Sequence, residues 1–192
     1  MSVGGGSRGL AISITEACPH IQATVGDLPN ITEVTKNYID EAVAGNRVNV
    51  VTADVIRESL AISYDAAVMS AFIQVVSPDD ARCAIKNVSK VMNLGGEIYI
   101  RGYGIIDNSR TSPKKLVGFD LVYINVNDEG QAYTEQEHKH WLKEAGFGSF
   151  RRAILADGSS IITAGKPWRG DAPLHPFLTS NTKCFPSQFF QY

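Results

Sequence analysis

Apolar positions along the chain alternate between two rhythms, short β-branched runs and stretches with apolar residues three or four apart. Leu10 to Ala17 reads as a helix closed near Cys18-Pro19, and Ile21 to Val25 as a strand. Asn30 is placed to cap a second helix over 31–44, with Val34, Tyr38, Ile39 and Ala42 on one side and Gly45 as its stop. Arg47 to Ala53 and Tyr64 to Ser70 read as further strands. Ser77-Pro78-Asp79-Asp80 is a helix start, a cap followed by proline at the first helical position. Its helix carries Ala81, Ile85, Val88 and Val91 on one face and runs to Leu94-Gly95. Glu97 to Ile100 is the next strand. Thr134-Glu135-Gln136-Glu137 matches a capping box and opens a helix reaching Ala145-Gly146. Two closing strands, 150–155 and 160–164, flank the turn signal Asp157-Gly158.

Strands alternate with helices and end in a hairpin. The prediction is an α/β, Rossmann-like three-layer domain with a mostly parallel seven-stranded sheet and an antiparallel last strand. The first strand is truncated in this reading, because Met1-Ser2-Val3 supplies only a stub, and the chain reads as starting inside a fold. The domain is expected over residues 1–165. From Lys166 on, prolines and the aromatic residues Phe185, Phe189, Phe190 and Tyr192 follow no register, and 166–192 reads as an irregular tail.

Composition narrows the partners. A net charge of −2, with no basic run longer than a pair, argues against nucleic acid. No apolar stretch approaches the roughly 18–20 residues of a membrane span, so no membrane is expected. Three cysteines, at 18, 83 and 184, show no CxxC spacing, which fits a cytoplasmic setting and offers no metal site.

The chemistry concentrates near the start. Gly4-Gly5-Gly6 opens a turn into the first helix, and the second strand runs into Asp27. Glycine leaves no Cβ between backbone and ligand, and a short carboxylate can accept from both hydroxyls of a ribose. The spacing Gly4-x-Gly6-x-x-Gly9 also satisfies the dinucleotide fingerprint, so a nicotinamide-dependent oxidoreductase is a competing reading, though a lone GxGxxG is weak.

The glycine turn, Gly26-Asp27-Leu28-Pro29, Asp54 after the third strand and Leu94-Gly95-Gly96 together resemble the class I S-adenosylmethionine-dependent methyltransferases. Tyr133-Thr134-Glu135 and the Trp141 to Phe147 segment narrow the resemblance to small-molecule O-methyltransferases of the plant-phenolic and acetylserotonin type. It covers roughly residues 3–165. It implies S-adenosyl-L-methionine as cofactor and a small-molecule acceptor. It also implies a homodimer where the family's helical N-terminal domain, not contained in this sequence, is present. Gly4, Gly5 and Gly6 would lie against the methionine portion, Asp27 would bind the ribose and Leu28 the adenine face. Asp54 and Val55 would meet the adenine edge, and Ser70 with Ala71 would stand where the family has a Lys-Trp pair.

The catalytic positions depart from the family. Its histidine base falls on Gln74, which cannot take a proton at neutral pH, and its orienting acid falls on Ala132. The histidines at 20, 138, 140 and 175 do not refill the site, and His138 and His140 are expected to face solvent. Two readings therefore stand beside each other. One is methyl transfer driven by proximity and an activated leaving group; the other is a non-catalytic binding or regulatory protein on the same fold.

Overall fold

A computed structural model of the chain describes residues 1–6, 9–42, 46–58 and 60–168. Its centre is a seven-stranded sheet in the order β3-β2-β1-β4-β5-β9-β8. The strands are β1 (Ser2–Val3), β2 (Ala23–Asp27), β3 (Val48–Thr52), β4 (Tyr64–Ser70), β5 (Met92–Gly102), β8 (Gly148–Ile154) and β9 (Ser160–Gly165). All pairs are parallel except β5 with β9 and β8 with β9. A separate two-stranded pair joins β6 (Ile105–Ile106) to β7 (Tyr133–Thr134). The predicted architecture is observed.

The first strand is central to the sheet. Ser2 and Val3 pair with Val25 and Gly26 on one side and with Val68 and Met69 on the other. Before it, the Met1 amine donates to the Ala66 carbonyl at 2.6 Å, and burial pulls that amine down to about 5.

Helices α1 (Gly9–Ala17) and α2 (Pro29–Glu41) cover one face through Ala11, Ile14 and Ile39. Helices α3 (Pro78–Lys90) and α5 (Glu135–Glu144) cover the other, where Ala81, Ile85, Val88, Trp141 and Leu142 meet Met69, Ile98, Ile100 and Ile162. The expected inner face of α3 is observed at Ala81, Ile85 and Val88, but the helix stops at Lys90 with Val91 as its cap, and β5 already begins at Met92. Ser77 Oγ accepts from the Asp80 amide, so its cap is also as read. The capping box of α5 is present in both directions between Thr134 and Glu137.

Several expectations are corrected. Helix α2 begins at Pro29 with Leu28 as its cap, so Asn30 lies inside the helix rather than before it. Its buried face is Thr32, Thr35 and Ile39 rather than Val34, Tyr38 and Ala42. The threonines succeed there because each hydroxyl has an acceptor, the carbonyls of Pro29 and Ile31, and Thr32 also meets Thr52 Oγ1 at 3.0 Å. Gly45, read as the stop of that helix, lies outside the described residues. Helix α4 (Lys114–Val126), with apolar residues on every side, gave no periodic signal and was not anticipated. At the far end, Lys166 still exchanges backbone hydrogen bonds with Gly95 and Gly96, and the Trp168 ring lies against Gly95. The packed body therefore continues past residue 165; residues 169–192 of the expected tail lie outside the described ones. Among the described residues, no helix is long and apolar enough to cross a membrane.

His138 is a further correction. It is 1% exposed, inside a cluster with Tyr133 and Trp141, and its Nδ1 lies 2.9 Å from the Thr134 carbonyl. Burial pulls its pKa from 6.5 down to about 4. The folded state thus holds a neutral ring, whereas the unfolded chain takes up a proton near 6.5. This contribution is complete above the unfolded value and is lost as pH falls toward 4, by about 3 kcal/mol in the limit. His138→Gln should flatten the acid limb of stability by that amount. Urea denaturation from pH 7.5 to pH 4.5 would test it, and parallel curves for parent and variant would refute it.

Candidate functional site

Because β1 to β4 run in parallel, their C-terminal ends form one edge. The chain leaves β1 outward to β2 and β3, then returns across β1 to β4, and this reversal opens a crevice above β1. The turn after β1 sits at its mouth. Gly4 takes φ +60°, a left-handed conformation, and donates its amide to the Gly26 carbonyl at 2.9 Å. Any Cβ at Gly4 would fall on the Phe72 ring, and one at Gly6 on Ile31. The turn is thus pressed between the loop after β4 and the start of α2, and glycine is the residue that fits.

Asp27 ends β2 directly beside this turn. Its Oδ2 accepts from the Gly6 amide and its Oδ1 from the Leu28 amide, both at 2.8 Å. Leu28 itself is 45% exposed, an apolar side chain standing free next to the carboxylate. Just past the adjoining strand, the Ala53 amide donates to the Asp27 carbonyl, which draws the start of the next loop alongside. Asp54 follows, with Oδ1 accepting from the Ile56 amide at 3.0 Å and Oδ2 from the Arg57 guanidinium at 2.8 Å. Partial burial pushes its pKa up, but the Arg57 bond and the backbone amides outweigh that and hold it below the ordinary carboxylate value. Val55 differs from expectation. Its side chain is buried in the core, and its carbonyl accepts from Asn87 Nδ2, so it offers no side chain to the edge.

Across the crevice, Ser70 is the last residue of β4 and pairs with Arg101. Ala71 follows at φ +55°, exposed, with its amide on the Arg101 carbonyl at 2.8 Å. A single turn of 3-10 helix (Ile73–Val75) then carries Gln74 inward to 5% exposure. Its amide lies directly over Gly102, where a Cβ would approach Oε1 within 2.7 Å, and its Cβ lies over Gly104. The Tyr123 hydroxyl of α4 shares a hydrogen bond with this side chain. Burial nevertheless pushes the Tyr123 phenol up to about 12. Ala132 is fully buried against Ile106 and Leu116, with its amide on Asp120 Oδ1.

The structure therefore brings Gly4, Gly5, Gly6, Asp27, Leu28 and Asp54 to one side of the crevice and Ser70 to the other. Gln74 lies beyond Phe72 as part of a packed floor. Sequence reasoning missed Phe72, Gly102, Gly104 and Tyr123. The two glycines inside a run leaving a strand were the available signal.

The profile of the O-methyltransferase domain family matches residues 1–148. The chain belongs to this family. It is 27% identical over 168 residues to the 3-hydroxy-5-methyl-1-naphthoate 3-O-methyltransferase of Streptomyces sahachiroi, covering 86% of this chain and 48% of that protein. It is 25% identical over 164 residues to the tetracenomycin polyketide synthesis 8-O-methyl transferase of Streptomyces glaucescens, with 85% and 48% covered. This O-methyltransferase domain thus spans about half the length of the curated relatives it matches. Among solved structures, the apo S-adenosylmethionine-dependent methyltransferase SibL superposes with a TM-score of 0.77 at 24% identity, over 87% of this chain and 50% of that one. Human N-acetylserotonin methyltransferase, solved with its S-adenosylmethionine, gives 0.76 at 20% identity over 87% and 47%. Those two likenesses establish the fold. The family match removes the nicotinamide reading of the glycine spacing.

Ala71 carries a cost within this O-methyltransferase domain. A residue with a Cβ is strained at positive φ, and glycine is not. Ala71→Gly should stabilise the chain by about 0.5–1 kcal/mol after the extra freedom it gives the unfolded state. Chemical denaturation would measure this, and a destabilised variant would contradict it.

Proposed function

We propose that this domain binds S-adenosylmethionine at the β1–β4 crevice and transfers its methyl group to an oxygen of a small molecule. The observation that carries the reading is Asp27, docked on the Gly6 and Leu28 amides beside an exposed leucine. A carboxylate has about four lone-pair sites. With two used by backbone donors, two are left for the vicinal hydroxyls of a ribose. Gly4 to Gly6 would then line the methionine portion, Leu28 the adenine face, and Asp54 with the main chain of Val55 the adenine edge. Ser70 would close the far wall. When bound, S-adenosylmethionine supplies a methyl group activated by its sulfonium.

The same reading carries a small-molecule acceptor, a homodimer where the full protein has the family's helical N-terminal domain, and a cytoplasmic setting. Family resemblance supports the first two. The naphthoate substrate in the name of the Streptomyces sahachiroi relative supports an aromatic acceptor. Residues 1–165 would carry the binding site.

A second reading has its own support. Gln74 is buried at the family's base position and Ala132 at its acid position, which favours a binding or regulatory protein without turnover. Methyl transfer from labelled S-adenosylmethionine to a panel of aromatic acceptors separates the two.

Asp27→Ala should weaken S-adenosylhomocysteine binding at least roughly tenfold, since each bond to a charged acceptor contributes about 1.5–3 kcal/mol. Calorimetric titration would show it. Equal affinities for variant and parent would remove Asp27 from the site.

A further inference from the structure

We infer that two copies of this chain pair through the outward face of α4, running antiparallel about a two-fold axis at Leu121. The pairing is independent of the methyl-transfer reading. Inward, α4 is held by Leu116 and Tyr123, both buried. Outward, Leu121 is 67% exposed, Val122 47%, Ile124 59% and Val126 73%. Four of the ten large apolar side chains exposed among the described residues thus fall within the last two turns of one helix. Apolar residues scattered singly over a surface need no explanation, but such a concentration marks a face that is covered by something.

The charges at the two ends of α4 select what covers it. Lys114 and Lys115 open the helix, and Asp128 and Glu129 follow its end, all four exposed. This is the reverse of what a single helix prefers, since acids suit its N-terminus and bases its C-terminus. Against an antiparallel copy of itself, the same order becomes favourable. Each lysine pair meets the carboxylates and the negative helix end of the other copy, and the two macrodipoles oppose. A parallel pairing would set lysine against lysine and acid against acid.

Shape agrees with charge. Lys114, Gly118, Leu121 and Asn125 fall in one row, three or four positions apart. With Leu121 on the axis, Lys114 stands opposite the partner's Asp128, and Gly118 opposite the partner's Ile124. Glycine is a poor residue for a helix interior. Nothing in this chain's own packing asks for it at 118, where a Cβ would meet open space. Opposite a second helix, its missing side chain leaves the hollow that an isoleucine fills. Asn125, the polar member of the row, donates its amide to the Leu121 carbonyl, so it enters a covered face with one partner already made. A contact of this kind uses the same patch on both copies and closes at two.

The test is sedimentation equilibrium of the whole chain from about 1 to about 300 μM, because a pairing carried by one helix is a small interface of roughly micromolar strength. A monomer–dimer equilibrium is expected. Leu121→Glu should abolish it. Gly118→Leu should weaken it at least roughly tenfold, although leucine is the better helix former and the more apolar residue. Lys114→Glu with Lys115→Glu should be monomeric, as should Asp128→Lys with Glu129→Lys. An equimolar mixture of these two charge variants should dimerise again, since each then meets its opposite at both ends. Circular dichroism checks that every variant is folded, and where Leu121→Glu is not, the charge variants and their mixture decide. A parent that stays monomeric over the whole range, or grows past a dimer, would overturn the proposal; the first outcome leaves the face to another partner, such as the family's helical domain. A dimer untouched by Gly118→Leu would overturn it by putting the contact elsewhere. Charge variants that stay apart when mixed would overturn it by denying the antiparallel order.

Discussion

The C-terminal edge of the sheet depends on one carboxylate shared between two loops. Asp27 belongs to the end of β2, yet one of its oxygens holds the Gly6 amide of the turn after β1 and the other holds the start of α2. Charge-assisted bonds of this kind are about twice as strong as neutral ones. They fix a short glycine turn that a two-residue strand could hardly orient alone. With the turn in place, Phe72 can lie on Gly4, and the loop after β4 is set at the same moment. The near wall, far wall and floor of the crevice are therefore one connected piece of packing.

Much of this was legible because its causes are local. The α3 cap at Ser77, the capping box at Thr134 and the Asp157-Gly158 turn each follow from residue chemistry within a few positions, and each stands where it was read. The faces of helices were less secure. Thr32 and Thr35 replaced Val34 and Tyr38 inside α2 because hydroxyls that bond back to their own helix can be buried at little cost. His138 failed for the same reason: a polar type was assumed to seek water, and a carbonyl one turn away met its need instead.

The candidate site divides along the same line. Glycine turn and acid announce themselves by spacing, and they meet in space. Gln74 was read from its place in an aligned segment, and that could not reveal its burial, because the cause is the paired absence of side chains at Gly102 and Gly104, on another strand and the loop beyond it. Helix α4, which brings Tyr123 to it, was invisible to a search for amphipathic rhythm. Its outward residues Leu121, Val122, Ile124 and Val126 are as apolar as its inward ones.

Asp157 gives the molecule an order of assembly. It sits in the hairpin between β8 and β9, yet it anchors Arg101 and Tyr103, which leave β5 more than fifty positions earlier. Contacts so distant in sequence wait on the closure of a long loop. As the chain emerges during synthesis, the parallel half of the sheet with its glycine turn can gather first. Arg101 and Tyr103 gain their anchor only when the final hairpin has been made and laid against β5.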